Sequence, residues 1–105
     1  MKRIYMILQY GSIKEIESLY QEQFVYYADD DLLDIERKIK NNYTDLYEAG
    51  SYPYVVLKTI DLCTIGATNE PLRIFEYQKD DNIYKEIGYL KLLTSSHEPE
   101  GIHYY

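Results

Sequence analysis

There is no tryptophan among the 105 residues, and only one cysteine, two phenylalanines, two histidines and three prolines. A single thiol, Cys63, excludes an internal disulfide framework and a multi-cysteine zinc site, and fits a reducing compartment. Long apolar runs are missing as well. The N-terminal MKRIYMILQY has a basic start, but its apolar run stops at Gln9, too short for a signal peptide or a bilayer span. A cytoplasmic protein that does not bind membranes is expected. Positive charge is the scarcest commodity: 11 Lys and Arg face 18 Asp and Glu, for a net charge of −7. Phosphate binding needs clustered Lys and Arg, so direct nucleic-acid binding is excluded as an expectation. The only adjacent basic pairs are Lys2-Arg3 and Arg37-Lys38.

The acids are unevenly spread. Residues 14–36 carry Glu15, Glu17, Glu22, Asp29, Asp30, Asp31, Asp34 and Glu36 against one base, Lys14, so this segment holds the entire net charge. Tyrosine is the other excess, with fourteen copies, of which Tyr20, Tyr26 and Tyr27 interleave with those acids. A tyrosine has a rigid apolar body and a polar tip suited to protein interfaces. Abundant tyrosine is also what AT-rich coding produces, and Tyr43 and Tyr54 sit at core positions that need no function.

The apolar share of 46% is enough for one folded domain, read as residues 1–94 with a tail over 95–105. RIYMILQ, 3–9, reads as a buried first strand. SIKEIESLYQEQ follows, with Ser12 and Glu15 at capping-box spacing and Ile13, Ile16 and Tyr20 at helical spacing, giving a helix of about three turns. QFVYYA, 23–28, reads as a second strand.

Over residues 31–48, Leu32, Ile35, Ile39, Tyr43 and Leu46 line one face of a longer helix, with Gly50 as its stop. Asp34 with Lys38, and Glu36 with Lys40, are acid-before-base pairs one turn apart. YPYVVLKTIDLC, 52–63, is apolar on both faces and belongs in the middle of a sheet. RIFEYQK and IYKEIGYLKLL flank Asp80-Asp81-Asn82 as a hairpin. A two-residue turn at Asp80-Asp81 would set Glu76 opposite Lys85 and Tyr77 opposite Tyr84.

The order β-α-β-α-β-β-β implies an α+β fold of two layers: a mostly antiparallel sheet packed by one long and one short helix. A tyrosine-containing first strand, an aromatic strand running into an acid-capped helix and the Tyr54-Val55-Val56 strand resemble features of many small bacterial and phage α+β proteins. That resemblance implies a fold and no activity. In size and charge the chain also resembles immunity proteins and phage-encoded inhibitors, some of which occupy nucleic-acid-binding sites.

Candidate chemistry is thin. Asp29-Asp30-Asp31 lacks the following glycine and distal glutamate of a calcium loop, and no glycine-rich loop is present to hold the phosphates of a magnesium-bound substrate. Aspartates at a helix start are accounted for by capping and by the helix dipole. His97 and His103 do not have metalloprotease spacing, and Cys63 reads as a small buried hydrophobe. No catalytic residue, metal or cofactor is expected. The leading expectation is a non-catalytic acidic protein that binds, and inhibits, a basic protein partner. Its surface would be Glu15, Glu17, Tyr20, Glu22, Tyr26, Tyr27, Asp29, Asp30, Asp31 and Asp34. The alternatives are a small cation-dependent enzyme or ligand-binding domain using Asp29–Asp31, and an accessory subunit that self-associates through a sheet edge.

Overall fold

The structure, a computed structural model, describes residues 3–18, 24–41, 52–61, 71–91 and 101–105, with the backbone alone for residues 24–29 and 61. Its elements are β1 (Arg3–Tyr10), α1 (Ile13–Glu17), β2 (Phe24–Asp29), α2 (Leu32–Lys40), β3 (Tyr54–Asp61), β4 (Leu72–Gln78), β5 (Ile83–Leu90) and a short β6 (His103–Tyr104). The fold is α+β. The strands form one sheet in the order β2-β1-β3-β4-β5-β6, with every neighbouring pair antiparallel. β2 and β3 both oppose β1, so they run parallel to each other with β1 inserted between them. The connection between them contains α2.

β1 and β3 are central, and their sequences show why. Ile7 and Leu8 in β1, and Val55, Val56 and Leu57 in β3, are buried although they alternate between the two sheet faces. An apolar strand on both faces is stable only when both faces are covered. The two cores confirm that they are. On one face Ile7, Val55, Leu57, Phe75 and Tyr84 pack against Ile35 and Ile39 of α2. On the other, Leu8, Tyr10, Val56, Leu72, Ile74 and Leu90 pack with Ile16 of α1. The helices therefore lie on opposite faces, which corrects the two-layer expectation. Helical periodicity identifies a buried stripe but does not say which side of a sheet receives it.

Each helix is capped within the described residues. α1 closes at Ser18, whose N–H donates to the Lys14 carbonyl at 3.0 Å and whose hydroxyl donates to the Glu15 carbonyl at 3.0 Å. A serine bonded back to the preceding turn competes with helix continuation, so five residues form where about three turns were expected. α2 ends at Asn41, whose backbone N–H and side-chain amide both donate to the Arg37 carbonyl, at 3.0 and 3.1 Å. Tyr43, Leu46 and Gly50, assigned to this helix and its stop, lie outside the described residues, as do Cys63 and His97.

The hairpin keeps the expected partners. Glu76 stands opposite Lys85 and Tyr77 opposite Tyr84, the two rings 5.3 Å apart. The turn is wider than two residues: the strands end at Gln78 and Ile83, and the Asp81 N–H donates to the Gln78 carbonyl at 3.3 Å. Asn82 takes the left-handed position, at φ 51°, that a turn without glycine must fill. The Tyr77 hydroxyl donates to Asn82 Oδ1 at 2.7 Å and holds it there. Beyond β5, the end of the expected tail returns to the sheet as β6, pairing Tyr104 with Gly88 and His103 with Tyr89.

Candidate interaction surface

The acidic segment begins on α1. Ser12 caps this helix: its hydroxyl accepts the Glu15 N–H at 3.2 Å, as the capping-box spacing requires. The return bond is displaced by one residue, because Glu15 Oε2 accepts the N–H of Gly11 at 3.0 Å. Glu15 and Glu17 are both exposed. Tyr20 and Glu22 lie outside the described residues.

The segment then crosses the molecule as β2, the strand at one edge of the sheet. Tyr27 pairs with Ile7 and Val25 with Leu8, so Tyr26 is the extra residue of a bulge. Asp29, at the far end, is opposite Tyr5, whereas Phe24 is opposite Gln9, beside the start of α1. Five steps at about 3.4 Å each separate the ends of β2 by roughly 17 Å. The acids continuous in sequence are thus two groups in space, Glu15 and Glu17 at one end and Asp29 to Asp31 at the other.

At this second end Asp31 is the cap of α2, its Oδ1 accepting the Asp34 N–H at 3.3 Å. Asp30 and Asp31 are exposed. Asp34 is half-buried and pairs with Lys38 at 3.0 Å, as the one-turn spacing predicted. Glu36, expected to pair with Lys40, instead turns to the sheet and binds Arg73 at 2.9 Å. Asp34 and Glu36 are therefore each matched by a cation from outside the segment.

Arg73 organises a charged cluster that sequence inspection missed. Its Nε and one terminal nitrogen grip both oxygens of Glu86 at 2.8 and 2.9 Å, and that same nitrogen bonds Glu36 Oε2. The guanidinium lies 5.6 Å from the centre of the Phe75 ring. These hydrogen bonds hold Arg73 firmly protonated despite partial burial, and the same guanidinium draws the Glu86 carboxyl below its ordinary range. The Tyr105 hydroxyl completes the cluster, donating to Glu86 at 3.2 Å. The fork clamps α2 to the sheet, which is a structural task.

Other shifts come from burial. Tyr84 is pushed up to about 12, its hydroxyl reaching the Tyr52 carbonyl at 3.4 Å. Tyr10 is raised by burial and then by Glu15, and Tyr54 by burial and then by its hydrogen bond to Glu76.

Two open grooves flank Glu86. One of about 540 Å³ is lined by residues including Lys40, Gln78, Tyr84 and Lys85. Another of about 430 Å³ is lined by residues including Glu76, Lys85, Ile87 and Tyr104. Ligand pockets place a few polar groups in apolar walls, whereas cations and anions alternate around both of these grooves. Among the described residues no group of three or more His, Cys, Asp or Glu side chains converges as a metal site, and no helix is long and apolar enough to cross a membrane. Comparison with family models, with curated proteins and with solved structures yields no match.

Proposed function

We propose that the chain is a cytoplasmic, non-catalytic interaction protein whose acidic segment docks on a basic protein and blocks it. The observation that carries this reading is the concentration of the whole net charge in residues 14–36, with Glu15, Glu17, Asp30 and Asp31 exposed. Acids at both ends of an edge strand present a field along that edge, which steers a positive surface and repels nucleic acid. The partner's chemistry follows: Lys and Arg groups in two sets, roughly 17 Å apart along the β2 direction.

The variants that test this must leave the helix caps alone. Asp31 and Glu15 both bond backbone N–H groups, so reversing them would confuse docking with folding. Glu17→Lys and Asp30→Lys change exposed charges outside both caps. Capture from the native host at low and high salt should recover a basic protein with the wild type, in salt-sensitive fashion. The double variant should lose it while keeping its thermal transition. Equal recovery by both chains would refute the proposal.

A further inference from the structure

The opposite edge of the sheet carries features that the acidic surface leaves unused. The β4–β5 register shifts at Ile87, the extra residue between Glu86 and Gly88. Its carbonyl accepts the Tyr105 N–H at 3.0 Å. Gly88 is required here: a Cβ would collide with the His103 carbonyl oxygen and lie 3.0 Å from both the His103 carbonyl carbon and Tyr104 Cα. Tyr89 lies under His103, ring centres 5.0 Å apart and planes 16° from parallel, and 6.1 Å from the Tyr105 ring. Glu86 accepts from the Tyr105 hydroxyl, and Ile102 packs against the core on the α1 face. A carbonyl acceptor, a backbone notch, a stacking platform and a carboxylate are what a strand-addition site offers to an extended aromatic peptide.

The segment that fills this site is lightly held. β6 has two residues, and Tyr104 and Tyr105 remain 60% and 76% exposed. So short a pairing does little more than offset the entropy of ordering it. Residues 91–100, between β5 and Gly101, could span up to about 35 Å when extended, whereas a neighbouring strand is only about 4.8 Å away. The same residues can therefore reach the β5 edge of an adjacent molecule. We infer that the Glu86–Tyr89 edge is a strand-addition site for an extended aromatic segment of the type Ile102–Tyr105, and that a second copy of the chain supplies it, so that two copies exchange C-terminal strands. The exchange is reciprocal and two-fold, and it uses the edge opposite β2.

Salt separates this from the docking proposal. Both copies carry −7, so added salt strengthens their association, while it weakens a complex with a basic partner. Tyr89 and His103 are cross-strand partners, close enough for a disulfide once both are cysteine. The test mixes Tyr89→Cys chains with His103→Cys chains, each also carrying Cys63→Ser, and oxidises them together. A disulfide-linked heterodimer is expected from the mixture, at a yield well above the homodimer from either variant alone. Adding Gly88→Val to the Tyr89→Cys chain should abolish it. Heterodimer no more abundant than homodimer, or a yield insensitive to Gly88→Val, would overturn the inference. Sedimentation of the unmodified chain reads the same question without substitutions: dimer should grow with concentration and with salt, and a monomer throughout would overturn it.

Discussion

The two faces of the sheet are closed by different means. Each buries a similar set of large side chains from β1, β3, β4 and β5. On the α2 face a nine-residue helix adds Ile35 and Ile39, both wholly buried, and the Arg73 fork fastens it by Glu36. On the α1 face a five-residue helix adds one buried residue, Ile16, and Ile102 packs in from near the C-terminus. What differs is how many independent constraints hold the covering element.

The sharpest way to break the comparison is to open a cavity on each side. Ile35→Ala should cost toward the upper part of the about 2–5 kcal/mol range for such truncations, because a clamped helix cannot settle into the space. Ile16→Ala should fall at the lower end, since a single turn can shift inward. Urea midpoints of the two variants measure this, and equal losses would dissolve the distinction.

Removing the clamp is the next largest effect. Arg73→Ala leaves Glu36 and Glu86 facing each other half-buried, and should cost about 2–3 kcal/mol, with amide protection lost first in α2. A loss spread evenly over both helices would show that the fork stabilises the sheet rather than the helix.

Titration probes the α2 face without mutation. Glu86 has a lowered pKa in the fold, so its stabilisation is complete above the ordinary glutamate range and is lost as pH falls below it. Tyr84 is raised from 10.0 to about 12, so its contribution is intact below pH 10 and is lost as pH climbs toward 12. Thermal melts against pH should fall off on both sides, and Glu86→Gln should flatten the acid limb. The smallest effect is Asp31→Ala, about 1 kcal/mol by loss of the cap. It should leave amide exchange in α1 unchanged.

What could be read from the sequence was local or mutually reinforcing. The hairpin register followed from Glu76 with Lys85 and Tyr77 with Tyr84, because complementary pairs on both sides of a turn permit few alignments. A capping aspartate in the run Asp29–Asp31 followed from residue type, and the structure makes it Asp31; the Asp34–Lys38 pair followed from helical spacing. Arg73 could not be placed, since its partners lie 37 and 13 residues away and no local pattern links them. The need for Gly88 has no local sequence signal, because the backbone that takes its space arrives from residues 103 and 104. The acidic segment was legible as charge. That β2 would divide it between opposite ends of the sheet depended on strand pairing, which composition does not encode.

The insertion of β1 between β2 and β3 sets a schedule for biosynthesis. β1 leaves the ribosome before either neighbour, yet one of its edges belongs to Tyr54–Asp61, 44 residues after its own last residue, Tyr10. At about 5–20 residues per second, the two are separated by roughly two to nine seconds of translation. During that interval an apolar strand, destined for burial on both faces, presents an unpaired edge to any other nascent chain. The acids of residues 14–36 emerge next, well before β3, in the flanking position that gatekeeper charges take beside an apolar strand.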